Sequence, residues 1–217
     1  MSSPDIRNYT GAVTFELKDE DGKRIAANFV PIVLRGNAEG ARVEQVTPRR
    51  TALRAAPASF AASGWAAHAA EGSKLWAQGA GRAEHRFDIP VEVLAAGVTQ
   101  FELLAELATR AGDNGLVRVT LAGEAMGEVE LPDDPKDAQG LLSHDGGHGY
   151  LVRLEMTPDA AFLERLRTDG ALVLGFEVPK EKAAGLSIYG ERSGRYPMDV
   201  TLTVQTERAV YRVEPGN

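Results

Sequence analysis

Residues 185–203, GLSIYGERSGRYPMDVTLT, set two tyrosines, two arginines, three glycines and a proline between two strand-like runs. Glycine permits turns and proline stiffens them. Tyr189 and Tyr196 are therefore expected to keep apolar faces partly in water, while Arg192 and Arg195 each donate several hydrogen bonds. Flat faces beside forked cations suit the rim of a sugar-binding site. The competing reading of the same residues is a corner satisfied internally, with buried tyrosines and arginines that brace the backbone.

Trp65 and Trp76 offer the best stacking anchors, because an indole laid on a pyranose covers its CH groups without demanding one hydroxyl pattern. His68, Lys74, Gln78 and Arg82 stand nearby in sequence to read hydroxyls. Against this stands ordinary core packing for either tryptophan. Phe15, Phe87, Phe101 and Phe176 read as core.

The run SHDGGHGY at 143–150 places His144, Asp145 and His148 in a glycine-rich loop. Zinc needs three or four ligands with supporting partners, and no third histidine is placed to join them, so His148 reads as a hydrogen-bonding group of a surface loop. Asp133, Asp134 and Asp137 carry oxygen ligands of the kind calcium takes in structural sites, with solvated loop carboxylates as the first reading. No cofactor is otherwise expected. Glycoside hydrolysis would need two carboxyls ~5 to 5.5 Å or ~6.5 to 9.5 Å apart. Glu102 with Glu106, and Glu128 with Glu130, share strand faces that point toward solvent, where nothing would raise one pKa, so they read as non-catalytic. There is no Gly-x-Ser-x-Gly elbow, phosphate loop or dinucleotide fingerprint.

The 217 residues are 43% hydrophobic and 25% charged, with mean hydropathy -0.22 and no cysteine. Such a chain can bury a sizeable core, and it carries neither a disulfide scaffold nor a thiolate metal site. A net charge of -7 and a pI near 5.2 leave no basic stripe to displace counterions from phosphates, which argues against a nucleic-acid partner. No apolar run is long enough for a membrane helix, and the first residues lack the pattern of a signal peptide, so compartment is not fixed.

Positioning these groups falls to strands. Residues 11–17 alternate, 19–22 form a turn, and 25–34 supply a second strand whose Pro31 favours an edge or bulge. Residues 1–36 thus read as a β-hairpin, 36–40 as a linker and 41–217 as the main domain. Further strands are expected at 42–46, 83–89, 100–108, 116–121, 127–131, 150–156, 171–178, 200–205 and 209–213. Short strands broken by glycine, proline and aspartate indicate an all-β antiparallel sandwich. One helix is expected, at 158–167, opened by Thr157 with Pro158 at its first position. Residues 52–70 read as a long irregular loop containing a helical turn.

The hairpin reading of Val117-Arg-Val-Thr-Leu-Ala-Gly-Glu-Ala-Met-Gly-Glu-Val-Glu-Leu-Pro, followed by a long polar loop, a strand at Tyr150, the helix and the Asp169-Gly170 turn, resembles the galactose-binding-like jelly roll. Ala122-Gly123 stands where that fold often writes an asparagine-glycine turn. Several separated pieces are similar to the C-terminal β-sandwich region of bacterial glycoside hydrolase family 2 enzymes: residues 11–17, 27–33, 86–90, 103–107, 139–153 and 185–199. The resemblance implies that residues 1–36 form the tail of an immunoglobulin-like domain. It also implies that the catalytic acids lie on a barrel outside these residues, and that the parent is a periplasmic or secreted glycosidase.

Two functions follow. The chain is either a non-catalytic module binding an oligo- or polysaccharide through Trp65, Trp76, His148, Tyr189, Arg192, Arg195 and Tyr196, or a sandwich that only packs against neighbouring glycosidase domains or holds a dimer. The 6% aromatic content leans toward the second.

Overall fold

A computed structural model describes residues 9–18, 24–34, 42–71, 73–109, 115–131, 149–194, 196 and 198–210. The chain divides into two units, Met1–Glu39 and Gly40–Asn217. In the first, β1 (Tyr9–Lys18) and β2 (Arg24–Leu34) form an antiparallel pair running from Tyr9↔Leu34 to Lys18↔Arg24. Pro31 lies opposite Ala12 on β2, a strand paired on one side only among the described residues, where a residue without an amide proton is tolerated.

The second unit begins with β3 (Arg42–Thr47), β4 (Arg50–Ala55), β5 (Ala61–Ser63), β6 (Ala67–Glu71), β7 (Lys74–Gln78) and β8 (Gly81–Asp88). It continues through α1 (Val91–Ala95), β9 (Val98–Ala108), β10 (Gly115–Leu121), β11 (Glu124–Leu131) and β12 (Tyr150–Met156). Last come α2 (Ala160–Asp169), β13 (Ala171–Val178), β14 (Leu186–Tyr189) and β15 (Val200–Thr206). Strands β11, β10, β13, β8 and β5 make one antiparallel sheet, and the other eight make a second.

The expected all-β sandwich is what forms. Alternation is the cause: on β9, Phe101, Leu103, Ala105 and Leu107 are fully buried, facing the space filled from the smaller sheet by Phe87, Val117, Val119, Leu174 and Phe176. Helix α2 adds Phe162 and Leu166, with the Phe162 ring 5.6 Å from that of Phe101. It starts two residues later than expected, because the Asp159 carboxylate accepts the Phe162 amide at 2.7 Å and takes the capping place assigned to Thr157.

Residues 52–70 differ more. They contain the end of β4, a 3-10 turn at Pro57–Ser59, β5 and β6, because alanine-rich segments are extended when neighbouring strands accept their amides. A second short helix, α1, follows Pro90. Ala209 and Val210 are outside any strand, and the rest of the expected last strand lies outside the described residues.

Candidate binding face

The long strand β9 is where the larger sheet forks. Strand β12 pairs with residues 101–107 of β9, so it fills one edge. Strand β15 pairs from Val98 to Leu104, and β14 from Glu106 to Ala108, so both lie on the opposite edge, one after the other. Their continuations then separate, to β4 and β3 on one branch and to β7 and β6 on the other. The chain between β14 and β15 leaves the sheet opposite Glu106 and rejoins it opposite Leu104. This departing segment is the tyrosine- and arginine-bearing loop.

Two rows cross the branch formed by β6, β7 and β14 on the face turned away from the core. The register places Ala69, Trp76, Ser187 and Ala108 side by side, and in the adjacent row Glu71, Lys74, Tyr189, Glu106 and Leu151. The second row is largely covered: Lys74 is 2% exposed, Tyr189 0% and Glu106 1%. Polar groups account for much of that cover. Gly149 donates its amide to Glu106 Oε1 at 2.9 Å, and Tyr196 donates its amide to Oε2 at 2.8 Å.

The loop is folded on itself and on the β6–β7 turn. Ser193 donates its hydroxyl to the Ser73 carbonyl at 2.7 Å, Arg192 donates its amide to Ser73 Oγ at 3.0 Å, and Glu191 donates its amide to buried Asp199 at 3.1 Å. Backbone amides ending on a side-chain acceptor fix a loop more firmly than water would, because each bond replaces a desolvated orphan donor.

In the first row Ser187 and Ala108 are fully buried, while Ala69 and Trp76 are partly exposed. Trp76 is half-buried, and every residue beside it in the row is small. Among the described residues, the row sets only the small side chains of Ala69 and Ser187 directly beside the indole. Gln78, exposed two positions along β7, shares its face of the sheet, and His68 is exposed on β6. From the strand spacing and rise, Trp76 and the backbone over Glu106 are about 12 Å apart.

The other candidates divide. Trp65 lies between β5 and β6, packs against the core cluster, and donates its indole N–H to the Arg82 carbonyl at 3.0 Å. Trp76, the second stacking anchor, sits within strand β7. Tyr189, expected partly wet, is fully buried, its hydroxyl accepting from Lys74 Nζ at 3.3 Å. Arg192 is exposed and Tyr196 half-buried. His148 and Arg195 lie outside the described residues, as do His144, Asp145, Asp133, Asp134 and Asp137.

Glu102 and Glu106 also differ from expectation. Glu106 is buried, because the loop closes over a face that alternation alone assigns to solvent. Glu102 is ion-paired to Arg50 at 2.6 Å and Arg153 at 3.3 Å. Glu128 is exposed and pairs with Arg118 at 2.8 Å. None of these environments is the shared, desolvated pair that acid–base hydrolysis requires. Among the described residues, no three His, Asp or Glu side chains converge as metal ligands. Nothing in the sequence marked Ser73 or Asp199, and Glu106 read only as a solvent-facing carboxylate; the backbone amides that Glu106 and Ser73 accept are distant in the chain and leave no spacing signature.

No protein-family model matches the sequence and no curated relative is detected. Similar solved structures include a family 35 carbohydrate-binding module from an environmental isolate, with a TM-score of 0.39, 11% identity, and coverage of 72% of this chain and 93% of that one. The family 35 module of Cellvibrio japonicus Abf62 gives 0.38 and 12%, over 77% of this chain and 99% of its own. A family 36 module solved with calcium and xylotriose gives 0.33 and 8%, over 68% and 93%.

Proposed function

We propose that the second unit is a non-catalytic carbohydrate-binding module whose platform is the outer face of the larger sheet around Trp76. The observation that carries this reading is the partly exposed indole of Trp76 on the outer face of the sheet, flanked in its row by the small side chains of Ala69 and Ser187. Gln78 on the same face, with Arg192 and Tyr196 from the loop, supplies polar groups at its margin. The resemblance of separated segments to family 2 glycoside hydrolases supports a parent glycosidase, with residues 1–36 as the end of an immunoglobulin-like domain and the catalytic acids elsewhere.

Affinity electrophoresis in gels containing xylan, β-mannan or laminarin tests the reading. The protein should be retarded in at least one gel, and Trp76→Ala should migrate freely in it. Unretarded migration of the wild type in all three, with no change in tryptophan emission on adding the same glycans, overturns it. One observation favours a second reading: Tyr150 and Leu151 are 37% and 44% exposed at the start of β12, an edge through which the module would pack against a neighbouring domain.

A further inference from the structure

We infer that Glu106 is the positioning residue of this platform: its carboxylate clips the 190–199 segment and Gly149, which leads into β12, to the fork in the sheet, and thereby sets where Tyr196 and Arg192 stand relative to Trp76. The inference rests on the glycan-binding reading above. Its geometric basis is independent of that reading.

The carboxylate is buried, and its two oxygens accept from backbone amides of two segments far apart in sequence, Oε1 from Gly149 and Oε2 from Tyr196. Both segments reach it through glycine. A Cβ at Gly149 would run into the aliphatic part of Glu106 and come within 2.8 Å of the Tyr189 ring, and a Cβ at Gly194 would run into the carboxylate. Glycine here allows close approach, so each segment is seated on the carboxylate itself. Position 106 is also where the pairing partner of β9 changes from β15 to β14, beside the point at which the loop leaves between them. An ionised carboxylate has acceptors on both oxygens and makes stronger bonds to N–H than a neutral group does. A glutamine of the same shape keeps one acceptor and turns an NH2 toward the other amide.

The test compares the wild type with Glu106→Gln by amide hydrogen exchange, thermal unfolding and retardation in the xylan, β-mannan and laminarin gels. In Glu106→Gln, exchange at Gly149 or Tyr196 should quicken by about tenfold or more, the size of effect a lost charge-assisted hydrogen bond gives. Retardation in the gel that holds the wild type should weaken about fivefold or more, with the core unfolding transition retained. A variant that is retarded as strongly as the wild type overturns the inference. Gly194→Ala is the second variant, since it pushes the segment off the carboxylate from the solvent side without altering β9. Its expected outcome is faster Tyr196 exchange with weaker retardation; faster exchange with retardation unchanged overturns the inference as well. If the wild type is retarded in none of the gels, the platform reading fails and the role assigned to Glu106 fails with it, while the exchange measurement still reports separately whether the carboxylate holds the two segments.

Discussion

The ammonium of Lys74 lies 3.3 Å from the Tyr189 hydroxyl and 4.5 Å from the centre of its ring. Both residues sit on the outer face of the larger sheet, yet both are buried, so this pair belongs to the floor beneath the loop and not to a surface a ligand touches. A cation over a desolvated ring is worth more than the same pair in water. A double-mutant cycle with Lys74→Met and Tyr189→Leu, which removes the ring, should give a coupling energy of about 1 kcal/mol, measured by urea unfolding. Independence of the two substitutions would contradict the arrangement.

How much of this was legible in the sequence depends on what each element answers to. Strands β9, β12 and β13 announce themselves because they alternate over seven residues or more, and each buries the face that alternation predicts. Strands β5, β6 and β14 do not: they are short, alanine-rich or buried on both faces, and become strands only because β7, β8 and β9 are there to pair with them. The candidate face fails in a similar way. Trp76 was legible as an aromatic group near polar neighbours, but the small side chains that flank it are a property of register across four strands. Tyr189 and Glu106 read as wet from their positions and are dry because a loop from elsewhere covers them.

The turn joining β10 and β11 carries a local conflict that can be relieved. Ala122 has φ 49° and Gly123 φ 82°, the positive pair that a two-residue hairpin of the primed type requires. Glycine adopts this freely, while alanine brings its Cβ toward the following carbonyl. Ala122 is exposed, so Ala122→Asn should stabilise the unit by about 0.5–1 kcal/mol, because asparagine visits the left-handed region more readily. Gly123→Ala should cost about 1 kcal/mol through its backbone alone, since a Cβ there would meet nothing within 4 Å. Chemical denaturation of both variants checks the pair, and a destabilised Ala122→Asn would refute the account.

The two tryptophans should behave oppositely when removed. Trp65 lies against Gly81, where a Cβ would collide with the indole and stand 2.7 Å from the Ser63 carbonyl. Trp65→Ala should lose about 2 kcal/mol, less than a fully buried tryptophan because its ring is half-buried. Gly81→Ala should likewise destabilise and shift Trp65 emission to the red. Trp76 is not part of the core cluster, and Trp76→Ala should cost less than about 1 kcal/mol while abolishing glycan retardation. Equal loss of stability in the two variants would make Trp76 a packing residue and remove the platform.

Stability should also fall on acidification, through His85. Its ring lies 4.6 Å from that of Phe87 and 5.3 Å from that of Phe60, and burial among them holds its pKa below the usual histidine value. The Ser59 carbonyl, 3.2 Å from Nδ1, and the charge of Asp88 pull the other way and are outweighed. Nδ1 also lies 3.1 Å from Ser59 Oγ, whereas Nε2 is buried and meets no hydrogen-bond partner among the described residues. The neutral ring with its proton on Nδ1 therefore fits, and protonation would place a second N–H where nothing accepts it. Because the folded pKa is depressed, the unfolded chain binds the extra proton first. The His85 contribution is thus complete above the ordinary histidine pKa of about 6.5 and is lost as pH falls through the folded value. Urea unfolding of the wild type between pH 8 and pH 5, titration values chosen around that of about 6.5, should show stability declining toward acid, and His85→Leu should flatten the decline. A slope identical in the two proteins would show that the histidine is not the group responsible.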